Sequence, residues 1–83
     1  IVSLGADDPG ARRLIAEVLA LVGGTGARVT LLEWTRDAEP GVRAAAWRAL
    51  GVIGVDERAA YHALRALSDA DPRVRAQAAQ ALG

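Results

Sequence analysis

Apolar residues follow a regular pattern along this chain. After Pro40 they recur two, six, nine, ten and thirteen places on, as Val42, Ala46, Ala49, Leu50 and Ile53. That spacing lies on a single stripe of an α-helix. The segments that begin at Pro9 and Pro72 repeat the pattern, so a helix is predicted after each proline. Proline suits the first helical position, where its missing N–H is not needed. An acid precedes each one: Asp8 and Asp71 are good N-caps, and Glu39 is a poorer one. Gly23 and Gly54 stand where a left-handed residue can close the first two helices.

A second helix is predicted between the proline segments. Thr25 and Asp56 are plausible N-caps, opening ARVTLLEWTR and RAAYHALRAL, and Leu32 and Leu64 both fall eight places before the next proline. The prolines at 9, 40 and 72 are spaced by 31 and 32 residues, with Arg12, Arg43 and Arg75 three places after them and Leu19, Leu50 and Leu82 ten places after. Each unit is then helix, turn, helix, a hairpin that cannot bury its apolar stripe alone. Stacked units bury it against one another. The expected fold is an all-α solenoid of about two and a half units, near residues 1–23, 24–54 and 55–83, forming one domain over 1–83.

Composition sharpens this picture. Hydrophobic residues make up 52% of the 83, mostly Ala, Leu and Val with no Phe or Met, which suits closely packed helices without a large aromatic core. Ten basic and ten acidic residues cancel, so no net field draws in nucleic acid or an acidic membrane. The absence of cysteine excludes disulfides and thiolate metal sites. No apolar run approaches the roughly 20 residues of a membrane span, and Leu14 to Val22 is interrupted by Glu17. The chain starts directly on IVSL without methionine or a signal segment, so it is expected to be a piece of a longer protein, cytoplasmic in location.

The columns D-x-x-P-x-V-R and A-x-x-A-L-G stand here as Asp37, Pro40, Val42, Arg43, Ala46, Ala49, Leu50, Gly51 and as Asp69, Pro72, Val74, Arg75, Ala78, Ala81, Leu82, Gly83. They resemble HEAT repeats, most of all the short HEAT-like type of the phycobilisome lyase family and many bacterial repeat proteins. The first copy departs from the pattern, with Ala6, Ala11 and Ala20 in the Asp, Val and Gly columns. Trp47-Arg-Ala-Leu50-Gly51 also matches the tetratricopeptide W-x-x-L-G, but in one copy only and at a period short of 34. The resemblance implies that Asp37, Arg43, Asp69, Arg75 and Arg12 form a structural ladder between units, since residues that recur in every copy serve stacking before chemistry.

The other conspicuous residues divide into packing and surface. Trp47 projects to the edge of the buried stripe, in a column with Ala16 and Ala79, and is expected to fill space at that boundary. Trp34 falls about 120° off its stripe and is a candidate exposed anchor for a partner. His62 is the sole histidine; it projects nearly opposite Leu64 and Leu67 and reads as solvated surface without further metal ligands nearby. Ser3 and Ser68 belong to no Ser/His/acid set. Gly23-Gly24-Thr25-Gly26 lacks the G-K-[ST] ending of a phosphate loop and reads as a turn.

Facing away from the stripes of the proline helices are Arg13, Glu17, Arg48, Arg73, Gln77 and Gln80, with Ala44 and Ala76. In solenoids of this kind that row is the conventional ligand face. The expected function is therefore a non-catalytic protein–protein interaction module or scaffold with no cofactor, taking another protein or a peptide segment in its groove. One alternative is a fragment of a bilin-lyase-type enzyme, its groove holding a tetrapyrrole-bearing protein. The other is a nucleic-acid-binding module, for which three arginines in a neutral domain give a weak footprint. Apolar helices at both ends, Ile1 to Leu4 and Ala78 to Leu82, predict self-association or dependence on flanking repeats.

Overall fold

The computed structural model describes residues 8–83, as five helices with no strand among them. The helices are α1 (Pro9–Val22), α2 (Gly24–Trp34), α3 (Pro40–Ile53), α4 (Glu57–Ala66) and α5 (Pro72–Leu82). The repeat of 31 to 32 residues thus resolves into α1, then the pair α2–α3, then the pair α4–α5. Ile1 to Leu4, with Ser3 among them, and Ala6 lie outside the described residues.

Proline stands at the start of α1, α3 and α5 as expected. Asp8 caps α1 by accepting from the Gly10 N–H at 3.0 Å, and Asp71 caps α5 by accepting from the Arg73 N–H at 2.8 Å. Glu39 makes no side-chain cap bond. The turn before α3 is held one step earlier, where Asp37 accepts from the Glu39 N–H at 2.9 Å. Asp69 does the same for Asp71, also at 2.9 Å. The recurrent aspartate is thus a turn-former as well as a charge.

Asp56 caps α4, accepting from the Ala59 N–H at 2.8 Å. The corresponding expectation for Thr25 is corrected: α2 already begins at Gly24, and its N-cap is Gly23, with no side-chain bond. Gly23 and Gly24 both take positive φ, 69° and 90°, a conformation that L side chains rarely adopt. They turn the chain at once from α1 into α2 and leave Thr25 inside the helix.

Helices α1, α3 and α5 form one layer with α3 in the middle, while α2 packs on α3 and α1, and α4 on α5. The body measures 39 × 27 × 15 Å. Its core is small-residue packing, centred on Ala16, Leu31, Ala46, Trp47, Ala49, Leu50, Ala63, Val74 and Ala78, with Ile53 packed against it. A Cβ added at Gly51 would stand 3.4 Å from the Ala81 Cα, which shows how closely α3 and α5 approach.

Burial follows a helix's place in the layer more than its own stripe. Ala49 is buried and Ile53 packed, but their column partners in α1, Val18 and Val22, are 50% and 72% exposed. In α4 the buried positions are Ala59 and Ala63, while Leu64 stands 59% exposed although its counterpart Leu32 packs on the core. His62, expected on the surface, is half-buried and meets Tyr61 edge-on with ring centroids 5.5 Å apart. Trp34, expected as an exposed anchor, is half-buried against the core.

Trp47 is fully buried. An inner helix has a neighbour on each side as well as one beneath, so its buried surface is wider than one stripe. The column of Trp47 faces the next unit: Ala16 is buried, Trp47 is buried, and Ala79, beyond which no described helix lies, is exposed. The indole N–H has no hydrogen-bond partner, so filling that seam leaves one donor unsatisfied.

Candidate partner-binding groove

The arginine–aspartate column aligns the units and with them the groove. Arg12 of α1 reaches the carboxylate of Asp37, Nε to Oδ2 at 2.8 Å and Nη2 to Oδ1 at 3.2 Å. Arg43 of α3 makes the same forked contact with Asp69 at 3.0 and 3.1 Å. It also donates to the carbonyls of Asp37 and Ala38 in the turn before its own helix, at 2.8 and 3.2 Å. Arg75 repeats those carbonyl contacts with Asp69 and Ala70, at 2.7 and 3.2 Å. Each arginine thus binds its own turn, the next unit's aspartate, or both.

At Asp69, burial works to raise the carboxyl pKa. The hydrogen bonds from Arg43 and from the Asp71 N–H, with the Arg43 charge, outweigh it and hold the group below its ordinary 3.8. Arg73 grips Asp71 through Nε and Nη2 at 3.2 and 3.1 Å. That hydrogen bond is the main cause that lowers Asp71 to about 2 and raises Arg73 above its usual value.

With the units in register, α1, α3 and α5 present one open groove of about 450 Å³. Five of the six residues expected on the partner face line it: Arg13 and Glu17 from α1, Arg48 from α3, and Arg73 and Gln77 from α5. Gln80 lies apart from it, in an adjoining hollow of about 280 Å³ that shares Arg48, Val52 and Gln77. The groove also has an apolar floor beyond the expected polar row, formed by Ala20, Leu21, Ala44, Ala45, Ala49 and Val52. A signal for it existed: Leu21 and Val52 share a column twelve places after the proline, off the stripe, where a solvated helix face would carry polar residues.

Arg13 and Glu17 are four apart on α1, yet they are not among the ion pairs of the described residues. Arg13 instead lies across the seam over Gly41, its Nη1 2.9 Å and its Cδ 3.1 Å from where a Cβ would stand. The glycine column thus gives an upstream arginine its seat. In the next unit Arg73 occupies that column itself, and the upstream position is Ala44. Arg13 and Arg48 have no carboxylate partner among the described residues, whereas Arg73 is held by Asp71.

Another residue missed in the sequence is Arg28 on α2. It donates to the Gly54 carbonyl and lies 3.5 Å from that of Ile53, setting a cation on the C-terminal end of α3. A cation there is favoured by the helix dipole and by the free carbonyls of the last turn. Among the described residues no group of His, Cys, Asp and Glu is placed to hold a metal ion, and no helix is long and apolar enough to cross a membrane.

Two-layered stacked helix pairs, an inter-unit arginine–aspartate ladder and a groove on one layer define an α-solenoid of short helical repeats. Residues 2–83 match the family model for HEAT repeats, and the chain belongs to that family. No curated protein matches the chain.

Proposed function

We propose that the chain is a non-catalytic protein–protein interaction module that takes a segment of a partner in the groove across α1, α3 and α5. Family membership supports interaction with protein in general. What supports the groove as the binding face is that it pairs Arg13 and Arg48, which have no carboxylate partner among the described residues, with exposed aliphatic side chains. Leu21 and Val52 stand 87% and 67% exposed at its floor. Such surface is the usual mark of a face built for another chain. No cofactor is assigned to the groove. A second copy is a further partner, through the apolar surfaces that α1 and α4 leave uncovered.

The chain has no cysteine, so a single introduced thiol can be blocked uniquely. Val52→Cys carrying a bulky maleimide should abolish capture of peptides selected from a display library, while Glu57→Cys, on the other layer, should leave it intact. Equal capture by both labelled forms would refute the groove as the binding face.

A further inference from the structure

The chemistry of the groove selects among protein segments, and we infer that its occupant is an extended acidic segment carrying small aliphatic side chains. This rests on the reading of the groove as a protein-binding face. Arg13, Arg48 and Arg73 line the groove against a single lining carboxylate, Glu17, in a chain whose formal net charge is zero. Arg73 is already occupied by Asp71, which leaves Arg13 and Arg48 as the available cations. Arg13 is moreover positioned away from the acid on its own helix. Its guanidinium rests over Gly41, where any side chain would displace it. Two guanidinium groups on adjacent helices, with no carboxylate partner among the described residues, suit carboxylates, which they bind in a forked geometry.

Dimensions favour an extended conformation. Packed helices lie about 8–10 Å apart, so the path from α1 to α5 is roughly 18 Å. An extended chain covers that in about five or six residues at ~3.3 Å each. A helix about 10 Å across over the same path would fill on the order of 1,400 Å³, well beyond the groove's 450 Å³. Between the arginines the floor offers Ala44, Ala45 and Ala49, with Leu21 and Val52 as raised aliphatic contacts. Side chains alternate along an extended segment, so one set reaches this floor while the other meets the guanidinium groups or solvent. No aromatic ring lines the main groove for base stacking, and two available cations give little purchase on a phosphate backbone.

The test is to pan a random octapeptide library against the full chain, with the maleimide-blocked Val52→Cys chain as the counter-selection. The expected pool is rich in Asp and Glu interleaved with Val, Leu and Ala. A fluorescein-labelled octapeptide of alternating Glu and Val should bind at least tenfold more tightly than its Gln counterpart. It should weaken several-fold between 50 and 200 mM salt and lose tenfold or more with R13E/R48E. Both arginines lack ion pairs among the described residues, so the variant should melt like the parent, and the R13Q/R48Q chain gives the same readout without charge reversal. A pool rich in neutral or basic peptides that the blocked chain fails to capture overturns the acidic assignment and leaves the groove reading standing. Displacement of the peptide by a short oligothymidylate at lower concentration than by unlabelled peptide overturns it in favour of nucleic acid. No groove-dependent enrichment of any peptide sinks the groove reading as well.

Discussion

Arg43 holds three pieces of chain at once, the two carbonyls before its own helix and the carboxylate of Asp69 in the next unit. Both partners of that ion pair are largely buried, 18% and 15% exposed at the side chain. Removing Arg43 therefore strands a partly desolvated carboxylate and opens a turn. Arg43→Ala should cost about 2–3 kcal/mol, read by chemical denaturation, in line with hydrogen bonds to charged groups. Arg75→Ala loses the same carbonyl bonds but no inter-unit carboxylate and should cost under about 1 kcal/mol. Equal losses would remove the inter-unit bond from the account. Acid acts on the same column. The folded pKa values of Asp69 and Asp71 lie below their ordinary 3.8. Their contribution is therefore complete above about pH 4 and is lost as pH falls toward 2, the folded value of Asp71. Thermal melts should show stability declining over that window, and less steeply for Asp69→Asn.

At the scale of the helices, starts were legible because proline and an acid act locally, through a fixed φ and one cap bond. Asp56 obeyed that logic and Thr25 did not, since two positive-φ glycines already make the turn that a cap would have to follow. Asp56→Ala should therefore cost about 1 kcal/mol, while Thr25→Ala should lie within about 0.5 kcal/mol of the parent, both by thermal melt. Which faces become buried was less legible. A stripe records the layer beneath a helix, whereas Trp47 lines a hollow with Gln77, Gln80 and Ala81 of α5, an approach that depends on the stacking of two units. Gly51 tests that approach. Gly51→Ala adds a Cβ at ordinary contact distance from Ala81 and should stabilise by about 0.5–1 kcal/mol through helix propensity. Gly51→Leu must push α5 away and should destabilise. The groove was half legible for a related reason: its charged rim could be read off the helix wheel, but its aliphatic floor emerges only when three helices stand side by side.

For the whole molecule, the inner helix is well covered and the outer ones are not. Leu14 and Val18 of α1 are exposed, as are Tyr61 and Leu64 of α4 and Leu67 at its end. The chain should therefore show a concentration-dependent rise in sedimentation coefficient, suppressed by Leu64→Glu with Leu67→Glu. A monodisperse monomer across concentrations would refute that use of the surfaces. The repeat made the solenoid legible, because every unit states the same contact twice over; the individual ends carry no such redundancy.

The ladder also has a direction. Arg12 reaches forward to Asp37 and Arg43 forward to Asp69, so each joint is made of an arginine from the earlier unit and an aspartate from the later one. Such a joint is polar in the way a zip is: the two sides are unlike, and like sides do not mate. A unit that completes the joint at the α5 end, where Arg75 stands, is one that presents an aspartate turn, not a second α5 end. The chain's own first unit carries Ala6 in the aspartate column, so this joint fits Arg75 to a unit of different sequence and does not by itself join copies of the chain end to end.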